Sequence, residues 1–323
     1  MKQLIKIFKF TLLLACSVYI VIFFSTNKED LRLILNIHIY PLIFLCCLSV
    51  LYQFLHGYRF KVVLNKCSKS NLPFWDWLKI FMQTRFLNLI FPQFGNIYRS
   101  TTLKKNYNIS YTNYISTFTS FAWMDTCFNL IFATIIILLF EPTLKILSLN
   151  MGFLLIGLSF VIIFLPILGL KILGKTKINF PKIVWIQSKL CEVLYTSLAN
   201  LRDIKYISSI ITLGFLILLR TILFYYILFY SFGIRPSLSI LVIFYVLFKF
   251  SSFVVITPGN LGIQEIAFGF LSSQLGIGMS KGILVCAVGR VISTSVILLL
   301  GVFFGGIGLL QHRKDYSKND IKQ

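Results

Sequence analysis

Six long apolar blocks dominate this chain, at roughly 4–24, 33–55, 113–140, 151–173, 207–231 and 282–310. Each reaches the run of about 20 apolar residues that a helix needs to cross a bilayer. A buried helix in a water-soluble domain needs only an apolar stripe. Lipid offers no partners to backbone polar groups, so blocks of this length point to helices. The expected fold is all-α: a polytopic transmembrane helix bundle forming one integral membrane domain over 1–323. Composition agrees. Charged residues make up 13% of the chain, against about 25% in soluble domains. The mean hydropathy is +0.85. Lys2, Lys6 and Lys9 cluster around the start of the first block as they would in a signal peptide. No small-x-small cleavage site follows it, and Ser25 to Glu29 reads as a turn, so an uncleaved first span is expected.

The net charge of +21 would suggest nucleic acid in a soluble protein. Here the basic residues fall between the apolar blocks, which is the positive-inside pattern and not a nucleic-acid surface. The N-terminus, 56–70 (Arg59, Lys61, Lys66, Lys69), 99–105 (Arg99, Lys104, Lys105), 171–206 and the tail after the last block are the basic segments. They are expected on the cytoplasmic side of the cytoplasmic membrane, with both termini there. The remaining connections are short and nearly neutral.

Two further apolar regions are broken. Region 73–98 is interrupted at Phe91 to Gly95, and region 238–275 at Thr257 to Gly262. Region 73–98 has cytoplasmic charge on both sides, so it should enter and leave by one face. Region 238–275 begins outside after Arg235, and the last span must also begin outside. It should therefore dip in and return, or cross twice. The reading is six full spans plus two opposed, re-entrant helical hairpins. Backbone freed by Pro and Gly at membrane depth is tolerated where it is buried in protein or lines a wet cavity. Paired interruptions of this kind point to a transporter's central site, whereas the plainer reading is a proline kink in a packed helix.

Asp125, Arg220, Lys249, Glu265 and Arg290 lie inside apolar blocks, and Arg85 lies in the first broken helix. A charge in lipid is costly, which makes each a candidate functional residue. Simple pairing, as between Glu265 and Arg290, or snorkelling of Arg220 and Lys249 is the structural alternative. A helix restarting after either break would direct its positive N-terminal end and free amides at a phosphate or carboxylate. Seven cysteines occur without a C-x-x-C pair, five of them inside apolar blocks, and read as small hydrophobes. No metal site or cofactor is expected. No H-E-x-x-H, G-x-S-x-G or P-loop occurs, and an enzyme is not the leading expectation. One alternative is a polyprenyl-phosphate-dependent glycosyltransferase, with Glu29 and Asp30 as an acidic motif in the first outer loop. Another is a membrane scaffold in surface polysaccharide or lipid assembly, working with lipid- or glycan-synthesis enzymes.

At the two breaks the sequence resembles a known family. Asn88, Pro92, Gly95 and Arg99 fit "N-x-x-x-P-x-x-G-E-x-x-R", and Thr257, Pro258, Gly259, Leu261, Gly262 and Glu265 fit "T-P-G-G-L-G-x-x-E". Both are signatures of the lysylphosphatidylglycerol synthase transmembrane-region, or flippase-like, family. Gly276, Arg290 and Gly301 match its C-terminal pattern. The sequence departs where Asn96 stands for Glu, Asn260 for Gly, and Asp125 to Asn129 for "E-R-x-x-D". The resemblance implies lipid translocation with an altered substrate. The chain ends at Gln323 in a short polar tail, so the namesake's C-terminal aminoacyl-transfer domain is not expected. On this reading the cavity between the breaks takes a phosphate-bearing lipid head group. Arg85, Arg99 and Arg290 would meet the anion, and Asp125 and Glu265 would hold those cations or meet a cationic part of the head group. Pro92, Gly95, Pro258, Gly259 and Gly262 would shape the breaks.

Overall fold

The computed structural model describes residues 37–67, 72–90, 93–175, 181–200, 202–251 and 262–306. The expected first span, the Glu29–Asp30 turn, Pro92, Pro258, Gly259 and the basic tail lie outside the described residues. Within them the chain forms ten helices and one two-residue-per-strand hairpin. The helices are α1 (Ile39–Cys67), α2 (Phe74–Ile90), α3 (Phe94–Tyr107), α4 (Tyr111–Phe140), α5 (Met151–Lys175), α6 (Pro181–Asn200), α7 (Ile204–Ser231), α8 (Leu238–Ser251), α9 (Ile263–Gln274) and α10 (Met279–Phe303). Strands β1 (Lys145–Ile146) and β2 (Leu149–Asn150) pair antiparallel between α4 and α5.

Five helices, α1, α4, α5, α7 and α10, are long and apolar enough to cross a membrane. They coincide with the last five of the six expected spans. This is a multi-pass membrane protein. Segment 171–206, expected as a basic connection, instead holds the α6 helix, which packs on α4 and α5. Its mixed apolar and polar sequence shows no run long enough to announce a span.

The broken regions become short helices. At 1.5 Å per residue, α8 with 14 residues and α9 with 12 reach only about two thirds of the hydrocarbon thickness. Ion pairs fix their depth. Lys249, near the end of α8, meets Asp125 at the middle of α4, and Glu265, at the start of α9, meets Arg290 at the middle of α10. The far ends of α8 and α9 share one apolar cluster with Phe232 and Leu284. Among the described residues α8 and α9 thus pack side by side with their charged ends against mid-helix positions of α4 and α10, as a re-entrant pair would.

Helix α10 also shows that the two broken pairs are opposed. The α9 helix crosses its N-terminal end, where Gly269 faces Ile283 and Gly282 faces Ser272. The α2 helix packs on its C-terminal end, where Phe86 lies over Gly301 and Gln83 Nε2 donates to the Phe304 carbonyl at 2.9 Å. Two apolar clusters follow the same division. One gathers α7, α8, α9 and the first half of α10. The other gathers α2, α3 and the end of α1 around Trp77. Trp77 Nε1 donates to the Gly57 carbonyl at 2.7 Å, tying α2 to α1.

Pro166 sits inside α5 and has no N–H to offer Ile162, four residues back. Trp123 Nε1 from α4 supplies the missing donor, bonding the Ile162 carbonyl at 2.8 Å. In lipid an orphaned carbonyl has no water to turn to, so the bond both satisfies α5 and locks it to α4. At the membrane edge Asp203 caps α7 by accepting from the Tyr206 amide at 3.0 Å, and it also binds Lys66 at the end of α1. The hydrogen bond from Lys66, then that amide, hold the Asp203 carboxyl below the usual carboxylate range.

The α2–α3 turn depends on Gly95. Gln93 takes a left-handed φ of 67°, and the Gly95 amide donates to Asn88 Oδ1 at 2.9 Å. A Cβ on Gly95 would lie 2.0 Å from the Thr84 carbonyl oxygen. Backbone cannot yield as a flexible side chain can, so Gly95→Ala is expected to cost about 3 kcal/mol. Thermal unfolding in detergent reads this directly, and an unchanged midpoint would remove the close approach from the account.

Candidate functional site

The site starts from α1. Ser49, Tyr52, Gln53, His56 and Phe60 recur at helical spacing on an otherwise apolar helix, so one face of α1 is polar. That face lines a cavity of about 670 Å³ between the two apolar clusters. Helices α2, α4, α7, α8, α9 and α10 supply the other walls, so the cavity sits where the broken helices end.

Three charge arrangements surround it. In the first, Asp125 on α4 meets Arg59 of α1 at 2.6 Å and Lys249 of α8 at 3.0 Å. Asn129, one turn on, donates to Asp125 Oδ1 at 3.0 Å and accepts from the Tyr245 hydroxyl. Arg59 is 1% exposed, with Phe121 below its guanidinium and Gly214 of α7 beside it. In the second, Glu265 spans two partners. Its Oε1 meets Arg290 Nε at 2.7 Å, and its Oε2 accepts from the Gly262 amide at 2.8 Å. Gly262 takes a φ of 83°, which explains a glycine there. Arg290 Nη2 also donates to Gln264 Oε1 at 2.6 Å.

The third arrangement is a pair of cations that meet no carboxylate among the described residues. Arg220 of α7 donates Nε to the Leu48 carbonyl at 2.6 Å and lies over the rings of Tyr52 and Phe224. Arg85 of α2 lies over Phe81. Both line the cavity, as do Gln53 and His56. Gln53 is 1% exposed and its Oε1 has no hydrogen-bond partner among the described residues, nor has His56 Nδ1.

Of the residues expected at the site, the cavity brings together Arg85, Asp125 and Arg290, with Glu265 directly behind Arg290. Arg99 is elsewhere, caged by Phe60, Tyr114 and Phe118. Gly95 and Gly262 open α3 and α9 as expected, but their amides go to Asn88 and Glu265 and not to an open anion site. Asp125 holds Arg59 and Lys249 and not the arginines of the breaks. Pro92, Pro258 and Gly259 lie outside the described residues. Arg59 belongs by sequence with the cytoplasmic charges of 56–70, but α1 continues through it and buries it. The recurring polar face of α1 was the signal for Gln53 and His56. An acid at mid-span without a nearby counter-charge was the signal for Arg59.

A membrane helix bundle with opposed short helices around a basic cavity defines a class of polytopic protein organised about an interior polar site. The chain belongs to the lysylphosphatidylglycerol synthase TM region family, whose model matches residues 8–301. Membership ties it to lipid-related processes in a membrane. No curated protein and no solved structure matches the chain.

Proposed function

We propose that the chain is a flippase-like carrier that moves a lipid head group, phosphate-bearing, across the cytoplasmic membrane. The observation that carries the reading is the mid-membrane cavity, flanked by opposed broken helices and lined by Arg85, Arg220, Lys249 and Arg290. Ion pathways and polar substrates account for most ionisable residues kept inside a bilayer, and broken helices meet at transporter centres. A head group in this cavity leaves its tails in the bilayer, so no closed pore is required. The reading makes the chain a carrier and not an enzyme, with both termini cytoplasmic and the membrane lipid as its ligand.

The test is reconstitution into vesicles with acyl-labelled phospholipid and a membrane-impermeant quencher. Wild-type vesicles are expected to expose inner-leaflet label faster than protein-free vesicles. Ser293 lines the cavity, and Ser293→Trp should fill it and slow exposure about tenfold while the purified protein keeps its elution profile. Equal rates with and without protein would sink the proposal.

A further inference from the structure

We infer that the cavity selects a multiply charged phosphate head group, a terminal phosphomonoester or pyrophosphate, and rejects zwitterionic and cationic lipids. The inference rests on the lipid-carrier reading for its lipid part alone; the charge of the ligand stands on the cavity itself.

The argument is a balance of charge. Arg85, Arg220, Lys249 and Arg290 line the cavity, and Arg59 joins them through Asp125. Among the described residues two carboxylates take three of these cations: Asp125 meets Arg59 and Lys249, and Glu265 meets Arg290. The carboxylates are fully used: Asp125 by two cations and Asn129, Glu265 by Arg290 and the Gly262 amide. That leaves a surplus of two positive charges, on Arg85 and Arg220, which meet no carboxylate among the described residues. Uncompensated charge in a low-dielectric interior is costly, so an anion entering the cavity gains what the protein leaves unmet.

The number of charges decides the class. A phosphodiester such as phosphatidylglycerol brings one negative charge. A phosphomonoester brings about 1.5 to 2 at neutral pH, with three acceptor oxygens. Arginine forks suit such oxygens. A zwitterionic head adds a cation beside the surplus, and an aminoacylated head adds one or more. Gln53 is buried against the same cavity, and its unpartnered Oε1 is suited to accept from a hydroxyl or a P–OH of the head group. The rings of Tyr52 and Phe224 hold Arg220 from its flanks and leave it in place when the cavity is empty.

The experiment has a binding arm and a transport arm, both on the full chain. In detergent, thermal shift is read with short-chain phosphatidic acid, phosphatidylglycerol, phosphatidylcholine, lysyl-phosphatidylglycerol and inorganic pyrophosphate. In vesicles, acyl-labelled forms of the same lipids are followed between leaflets. Phosphatidic acid should bind about tenfold more tightly than phosphatidylglycerol, with the other two lipids weaker still. Arg85→Gln and Arg220→Gln should each remove about tenfold of that preference, and Arg220→Lys should restore most of it. Elution profiles of the variants check that they fold. If lipids move but at equal rates whatever their charge, the selectivity is overturned while the carrier reading stands. If phosphatidic acid binds with this selectivity but nothing moves, the carrier reading fails and the site stands. Pyrophosphate binding that phosphatidic acid cannot displace would overturn the lipid part and leave a free-phosphate site. Equal binding of all five probes, untouched by the arginine variants, overturns the inference outright.

Discussion

Asp125→Ala is expected to destabilise the protein by about 3 kcal/mol or more, with loss of folded yield in detergent. The carboxylate is the meeting point of Arg59 from α1 and Lys249 from α8. Its removal leaves two cations facing each other in a low-dielectric interior without their shared counter-charge. Removing Lys249 does something different. Arg59 and Asp125 remain a neutral pair, so Lys249→Met should cost only about 1 kcal/mol. The order of the two variants is the informative part. Thermal unfolding of both, measured side by side, decides it. If Lys249→Met proves as damaging as Asp125→Ala, the carboxylate is not the hub, and the α8 end is held at mid-depth by something else.

This triad also shows what the sequence could and could not convey. Five of the spans, the two interruptions and the charged positions at mid-span were legible, because hydropathy is a one-dimensional property of the chain. The pairing of Glu265 with Arg290 was legible too, since the elements are neighbours in sequence. Arg59 was not. It stands two residues from Lys61 and about two turns from Lys66, and by composition it belongs with them. Only the direction in which each side chain leaves α1 separates a buried ligand of Asp125 from a surface lysine. The fate of the amides at Gly95 and Gly262 was equally hidden. A helix N-terminus read from sequence offers free donors, whereas the folded chain sends Asn88 and Glu265 to occupy them. Arg99 illustrates the reverse error: a matching motif position whose side chain turns into an aromatic cage on the other side of Phe60. Motif spacing identifies the break, and tertiary packing decides which of its residues face the cavity.

The second large effect is expected at Glu265. Glu265→Gln keeps the shape and one acceptor, so the Gly262 amide can stay capped, but it removes the charge opposite Arg290. Lipid movement should fall about tenfold or more, which corresponds to one charge-assisted hydrogen bond of roughly 1.5 to 3 kcal/mol. Arg290→Ala should do the same from the other side and also release Gln264. The two changes sit in one network, so they should not add. In stability, Glu265→Gln with Arg290→Met replaces a buried pair by neutral groups and should unfold at a higher temperature than Glu265→Gln alone, because no cation is left uncompensated. In transport the double variant should be no better than either single one. That divergence separates a structural pair from a working one. A pair that only holds α9 against α10 would regain transport together with stability. Full transport in Glu265→Gln would show that the lipid never depends on Arg290 being held, and would move the site towards Arg85 and Arg220.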